Sequence, residues 1–347
     1  MSEDLVKINC SYVPPEIITA AGYQLNRVWP NNIGRKGRDL LPTNYCPYSR
    51  AFLSEVIGES EKIIIANSCD AMRRIYDIEN TRSYLLQVPR KINETNISFY
   101  KDKLAEIHNL LLKKDDRQYQ NKGLENKRLK EEVKEFNEIR ILMRKLRDEI
   151  LKNDRASFSL LIDALKNHYY SKDKEKIKKL IKDIKNYSEI KNNDYYPKII
   201  ISSSCLLDKS LIKKVERLGM EIVGLDSCLG ERTFDFEIAY KNNNIMENIA
   251  RSYLNKKSCP RMMDLNKRLS EIKNLIFKRN ADGLIYFIPK FCDQSSYDFK
   301  SIKEWAQKNN FPILKLEGEY NAGQKGQLTT RIEAFKESLK FAANDEV

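Results

Sequence analysis

The chain has 347 residues, a length that suits two domains of ordinary size, and 41% are hydrophobic, enough to fill real cores. Charged residues make up 32% and the formal net charge is +13. The lysines are spread along helical stretches and mixed with Asp and Glu, not interleaved with aromatics and glycine. That argues for a Lys-rich helical exterior over a nucleic-acid surface, with an acidic protein face or a phosphate ester as the competing partner. No run approaches about 18 uninterrupted apolar residues, and MSEDLVKINCSYVPPEI has no apolar stretch with a basic flank. A membrane span and a secretory leader are therefore not expected, and the chain is expected to stay in the cytoplasm.

In chain order, short apolar runs read as buried parallel strands: Leu25–Trp29, Ile63–Ala66 and Tyr84–Val88 in the first part, then Ile199–Ser202, Glu221–Leu225, Gly283–Phe287 and Pro312–Leu316. Amphipathic stretches of helix length lie between the later ones, over Asp208–Leu218, Ile245–Tyr253, Asp264–Arg279 and Phe299–Lys308. Alternation of strand and helix with crossover-sized gaps means a parallel α/β sheet. The region from Ile97 to Tyr187 differs: it is rich in Lys, Glu, Leu, Ile and Asn, lacks proline, and has Gly123 as its lone glycine. LKEEVKEFNEIRILMRKLRDEIL and KEKIKKLIKDIKNY read as amphipathic helices of an inserted helical part. A coiled-coil partner helix is the weaker reading because the heptads are not sustained. The domains expected are residues 1–96, an N-terminal α/β lobe; 97–195, a helical insertion; and 196–347, a C-terminal α/β lobe.

The seven cysteines carry the functional signal: Cys10, Cys46, Cys69, Cys205, Cys228, Cys259 and Cys292. In a reducing compartment an odd set of thiols is not a disulfide framework. Cys69, Cys205, Cys228 and Cys292 each follow a predicted strand, and the carboxyl ends of parallel strands share one edge where ligands bind. Helices predicted just after them, as in DAMRRIYD and DKSLIKKVERL, would favour thiolate over thiol. Cys46 and Cys259 are each followed by proline, and the intervals Cys46–Cys69 and Cys205–Cys228 are both 23 residues. A single cysteine at such a place is more often a small buried hydrophobe; six together point to a common metal centre. Cys10, in what reads as the lead-in to a helix, is the expected bystander.

Zinc sites show close cysteine pairs, and none is present. The two histidines, His108 and His168, lie in the charged helical region and read as surface or helix-face residues. Thiolates drawn from distant loops suit an iron–sulfur cluster better. There is no G-x-x-x-x-G-K-[ST] or G-x-G-x-x-G loop, and GLDSCLG and NAGQKGQ imitate one only weakly, so the chain is not expected to bind ATP or a dinucleotide itself.

Several segments resemble the 2-hydroxyacyl-CoA dehydratase and benzoyl-CoA reductase family of anaerobic iron–sulfur proteins. They are YVPPEIITAAGYQLNRVW (Tyr12–Trp29), Asn67-Ser68-Cys69-Asp70, QVPRK (Gln87–Lys91), Asp226-Ser227-Cys228-Leu229-Gly230-Glu231-Arg232, ADGLIYFIPKFCD (Ala281–Asp293) and GQLTTRIEAF (Gly326–Phe335). They run from one end of the chain to the other, and KFCD with a late TRIEAF is the more specific combination. The resemblance implies an α/β fold of two Rossmann- or flavodoxin-like lobes with parallel sheets and a helical insertion between them. It also implies a cluster between the lobes and electrons from a separate homodimeric, ATP-hydrolysing iron–sulfur activator. Cys46, Cys69 and Cys292 match the set that holds one [4Fe–4S] cluster in dehydratase subunits. The further Cys205, Cys228 and Cys259 resemble the double-cubane branch, whose homodimers carry a bridged [8Fe–9S] cluster per subunit.

The expected function is a reductase component that takes low-potential electrons from that activator and reduces a small substrate at a double cubane. The alternatives are a subunit of a 2-hydroxyacyl-CoA dehydratase or benzoyl-CoA reductase with one [4Fe–4S] cluster, paired with a paralogous subunit, and a non-catalytic cluster carrier or assembly protein. Arg232, Arg331 and Glu333, charged residues of the matching segments, are candidates for orienting substrate or docking the activator. Arg331 and Glu333 also read simply as the start of the C-terminal helix. Ser68, Ser204 and Ser227 precede the cysteines and could hydrogen-bond cluster sulfur.

Overall fold

The computed structural model describes residues 4–58, 61–112, 122–153, 156–186, 196–321 and 324–344. The first lobe runs β1 (Leu5–Ile8), α1 (Pro15–Ala20), β2 (Gln24–Arg27), α2 (Arg35–Leu40), α3 (Pro47–Val56), β3 (Lys62–Ala66), α4 (Asp70–Ile78) and β4 (Ser83–Leu86). A helical run follows: α5 (Glu94–Leu111), α6 (Lys122–Ile150), α7 (Ser159–Ala164), a π-turn over Leu165–Tyr169 and α8 (Lys174–Lys185). The second lobe runs β5 (Lys198–Ser203), α9 (Ser210–Arg217), β6 (Glu221–Asp226), α10 (Ile245–Asn255), α11 (Leu265–Arg279), β7 (Gly283–Pro289), α12 (Asp293–Lys308), β8 (Ile313–Gly318) and α13 (Gly326–Asn344), with a 3-10 turn at Glu231–Thr233.

Each lobe holds a four-stranded, all-parallel sheet, and the two orders, β2-β1-β3-β4 and β6-β5-β7-β8, are the same arrangement. The two-lobe α/β reading is therefore correct. The isoleucine runs of β3 and β5 are buried on both faces, as central parallel strands require. β1 escaped the sequence reading because LVKI is short and alternates half-buried with buried residues. The helical part begins at Glu94, before the expected 97, because Asn93 caps α5: the N–H of Asn96 donates to its side-chain oxygen at 2.8 Å. Residues 113–121 and 187–195 of that part, and 322–323 within NAGQKGQ, lie outside the described residues.

Three apolar cores explain the layering. An outer core packs α3 and α4 on one face of the first sheet (Phe52, Leu53, Ile63, Ile65, Met72, Ile75). A matching one packs α11 and α12 on the second (Ile200, Ile272, Leu284, Ile288, Ile302). The largest core joins the inner faces of both sheets to the helical run through Ile8, Ile64, Leu104, Phe136, Met143, Ile201 and Phe287. The helical run is thus a wedge sharing one core with both lobes. α6 is pinned to the first lobe by the buried Arg140–Glu16 ion pair and to the second by Asn137, whose side-chain amide donates to the carbonyl of Ile238 at 2.8 Å. His108 is not a surface residue: it is buried in α5, with Nδ1 2.7 Å from the carbonyl of Ile17. Among the described residues no helix is long and apolar enough to cross a membrane.

Candidate functional site

The shared strand order places the carboxyl ends of both sheets on a common seam between the lobes, and the cysteines collect there in two sets. Cys69 lies three residues past β3 and Cys292 three past β7; Cys228 lies two past β6 and Cys205 two past β5. All seven thiols are free and half-buried. Cross-lobe bonds close the seam: Gln294 Nε2 donates to the Ser68 carbonyl at 2.7 Å, Arg27 Nη1 to the Cys228 carbonyl at 2.7 Å, and Arg261 Nη2 to the Val88 carbonyl at 2.8 Å.

The first set is Cys46, Cys69 and Cys292. Each is the N-cap of a helix, of α3, α4 and α12 respectively. Pro47 occupies the first helical position after Cys46, where its missing N–H costs nothing. Burial, then the nearby Cys292, pushes the Cys46 thiol up to about 12, opposed by the neighbouring backbone N–H groups of Ser49 and Tyr48. Burial pushes Cys69 up to about 11, opposed by the N–H groups of Met72 and Ala71 and by Ser68. Cys292 Sγ lies 3.4 Å from Ser204 Oγ and 3.3 Å from Ser295 Oγ. Phe291 reaches this position through a left-handed backbone (φ 60°), a costly conformation for an aromatic residue that turns the chain just before Cys292.

The second set is Cys205, Cys228 and Cys259. These thiols sit in loops. The expected helix start behind Cys205 is displaced, since Leu206–Asp208 intervene and α9 begins at Ser210. The neighbouring Cys205 thiol holds the Cys228 thiol down to about 5, and Arg27 and Arg232 act in the same direction. The same contact raises Cys205 well above its ordinary value, and Cys205 Sγ donates to the Leu206 carbonyl at 3.8 Å. Burial raises Cys259 against Arg232 and the N–H of Arg261; Cys228 and Cys10 are among its neighbours. Cys205 also feels Cys46, which links the two sets. Gly230 makes the Cys228 loop possible: a Cβ there would lie 2.6 Å from the Leu225 carbonyl. Cys10, expected in a helix lead-in, lies two residues past β1 and borders Cys259 and Lys256.

The surroundings of the second set include a feature the sequence reading missed. Arg27, Lys256 and Arg261 are 2%, 4% and 1% exposed. Among the described residues none has a carboxylate within ion-pair distance. Arg27 donates to Cys228 O, Thr233 Oγ1 and Tyr170 OH. Lys256 donates to the carbonyl and hydroxyl of Ser11 at 2.5 and 3.1 Å, and Arg261 to the carbonyls of Val88 and Pro89 and to the Met262 sulfur. Arg232, by contrast, is paired with Asp226, which also takes Arg268. Uncompensated buried charge costs several kcal/mol unless an anion answers it. Buried polar atoms without partners occur beside both sets: Tyr12 OH, Arg27 Nε, Ser258 Oγ and Arg261 Nε near the second, Ser49 Oγ and Arg50 Nε on the helix that Cys46 caps. An anionic, many-atomed group bound by thiolates fits this donor set. No three His, Cys, Asp or Glu side chains among the described residues converge as ligands of one metal ion; a polynuclear cluster calls instead for thiolates set apart.

Of the other candidates, Arg232 is buried between the Ser203 carbonyl and Asp226, while Arg331 and Glu333 are exposed on α13, Arg331 donating to the Lys315 carbonyl at 2.7 Å. Beside Cys205 and Cys228 a cavity of about 250 Å³ is lined by Trp29, Lys166, Leu207, Lys209 and Leu229 among others.

The fold and site define a two-lobed α/β protein whose thiols meet at the strand ends along an interlobe seam. The chain belongs to the family described as 2-hydroxyglutaryl-CoA dehydratase, D-component, which it matches over residues 10–339. It is 26% identical over 345 residues to the (R)-phenyllactyl-CoA dehydratase beta subunit of Clostridium sporogenes, covering 94% of this chain and 90% of that one. It is 24% identical to the putative dehydratase subunit YjiM of Escherichia coli K12 (96% and 91% covered) and 21% identical to the lactoyl-CoA dehydratase subunit beta of Anaerotignum propionicum (94% and 90% covered).

Proposed function

We propose that this chain is the substrate-reducing component of an ATP-driven electron-transfer system and carries a double-cubane [8Fe–9S] cluster on Cys46, Cys69, Cys292, Cys205, Cys228 and Cys259. The observation that carries the reading is the grouping of six thiols into two neighbouring sets of three, joined through Cys205 and Cys46. Three thiolates per cubane use all six. Such a cluster supplies one-electron reduction at low potential.

The chain's own residues do the rest. The N-termini of α3, α4 and α12 offer N–H groups and partial positive charge to the first set. Arg27, Lys256 and Arg261 answer the negative charge of the second. The small cavity behind Trp29 admits a compact substrate or the acyl end of a larger one, since pockets for drug-sized ligands begin near 300 Å³. Neither phosphate-loop pattern occurs, so ATP hydrolysis falls to a separate homodimeric iron–sulfur activator, and the chain itself acts as a homodimer in the cytoplasm.

A second reading is favoured by the relatives' names: a dehydratase beta subunit with one [4Fe–4S] cluster on Cys46, Cys69 and Cys292, paired with a paralogous subunit. Iron and acid-labile sulfide per chain on anaerobically prepared protein separate the two. About eight irons and nine sulfides are expected for the first, about four of each for the second. Zinc, or no metal after strict exclusion of oxygen, sinks both.

A further inference from the structure

The two cysteine sets differ in how they meet negative charge, and that difference sets a direction for the electron. Around Cys46 and Cys69 the leading influences are burial, neighbouring thiols, Ser68 and backbone N–H groups; one buried cation, Arg50, stands on α3 four residues past Cys46. Around the second set stand three buried cations that lack carboxylate partners among the described residues. Arg27 donates to the Cys228 carbonyl at 2.7 Å, Arg261 lies two residues past Cys259, and Lys256 feels both Cys259 and Cys228. Their positions are fixed by aromatic rings: Lys256 lies 4.4 Å from the Tyr12 ring centroid and Arg261 5.3 Å from it, while Arg27 lies 4.8 Å from the Trp29 ring centroid.

Reduction adds one negative charge to whichever half receives the electron. Buried full charges stabilise it more than helix-end partial charges do, because little solvent screens them.

We infer that the Cys205–Cys228–Cys259 half is the electron-holding end of the site and that the Cys46–Cys69–Cys292 half is the entry end. One electron from a low-potential one-electron reductant is held beside Arg27, Lys256 and Arg261; no bond is made or broken, and the donor is oxidised by one electron. Substrate then meets the electron beside the cavity formed by Trp29, Leu207 and Leu229. The inference rests on the two-cubane reading above.

The test is a redox titration of anaerobic protein with titanium(III) citrate, followed by EPR and Mössbauer spectroscopy. Lys256→Met is the main variant. Arg27→Gln is the second, in case the first fails to load iron. The result expected is about eight irons per chain, a first midpoint potential lowered by either substitution, and a second midpoint that moves less. In parallel, Cys228→Ser changes the spectrum of the one-electron-reduced protein and Cys69→Ser leaves it largely unaltered.

About four irons in the parent protein removes the two-cubane reading itself. About eight irons with both midpoints unmoved, or with Cys69→Ser as the variant that changes the spectrum, overturns the direction inferred here and leaves that reading standing.

Discussion

Cys46, Cys69 and Cys292 are N-caps, whereas Cys205, Cys228 and Cys259 lie in loops among buried cations. The lobes share a strand order, so the topology that brings the sets together is the same on both sides and the electrostatics are not. A helix end offers about half a charge, distributed over N–H groups that several thiols can use. A buried cation offers a whole one: at about 6 Å and an effective dielectric near 20, roughly 3 kcal/mol per charge. The first set is served by three helix ends and one buried cation, Arg50, whereas the second is served by three buried cations that only an anion satisfies.

The sharpest way to break this comparison is to delete one set at a time. Replacing Cys205, Cys228 and Cys259 together by serine leaves about four irons on the remaining set, and replacing Cys46, Cys69 and Cys292 gives the mirror result. If the first triple variant keeps all the iron of the parent protein, the second set is not a cluster site.

Next in size is a contrast between paired and unpaired cations. Arg140 is buried against Glu16, so Arg140→Met strands a carboxylate and lowers stability by about 3–5 kcal/mol in denaturant unfolding. Lys256 strands nothing when removed. Burial holds its pKa down to about 7, far below the ordinary value of 10.5. Between those values the unfolded chain binds more protons than the folded one. The metal-free protein therefore gains stability from Lys256 as pH rises, by about 2 kcal/mol between about pH 7 and 9. Above about pH 9 the raised thiols of Cys46 and Cys69 oppose the gain, because the unfolded chain then loses thiol protons that the folded one keeps. Lys256→Met removes the lysine's share of the slope and leaves the metal-free protein at least as stable near pH 7. A variant less stable than the parent at every pH, with the slope intact, shows that Lys256 is satisfied by Ser11 alone.

A smaller effect is expected at Gly230. Ala there forces a Cβ against the Leu225 carbonyl and displaces the Cys228 loop, costing about 1–3 kcal/mol and lowering iron in the second set ahead of the first. Equal loss from both sets would show that the loop is not specific to one half.

Much of this is legible in the sequence. KIIIANSC and KIIISSSC announce a buried strand ending in a thiol, and parallel topology alone carries those thiols to one edge. What escaped depended on partners remote in sequence. Arg27 lies inside a run taken as strand, Lys256 in a Lys-rich stretch and Arg261 just after Cys259-Pro260; nothing local separates them from the rest of the 62 basic residues. Being unpaired is a property of three-dimensional neighbours. β1 was missed because four alternating residues carry little periodicity, and with it the position of Cys10. His108 read as a helix-face residue because the buried side of α5 is set by α1 and α6, which pack there from elsewhere in the chain.

The smallest effect is expected at Cys10, and it tests how far the likeness of the lobes extends. Cys10 stands two residues past β1 as Cys205 stands two past β5, so topology alone makes it the counterpart of a proposed cluster thiolate. In the two-cubane proposal six thiolates suffice without it, and Cys10 borders Cys259 and Lys256 rather than the Cys205–Cys228 pair. Cys10→Ser keeps the size and a hydroxyl and should leave iron content unchanged, with stability altered by no more than about 0.5 kcal/mol. A loss of iron from this variant would mean that the strand-end position, not the surrounding charge, selects the thiols of the second half, and Cys10 would have to be counted among them.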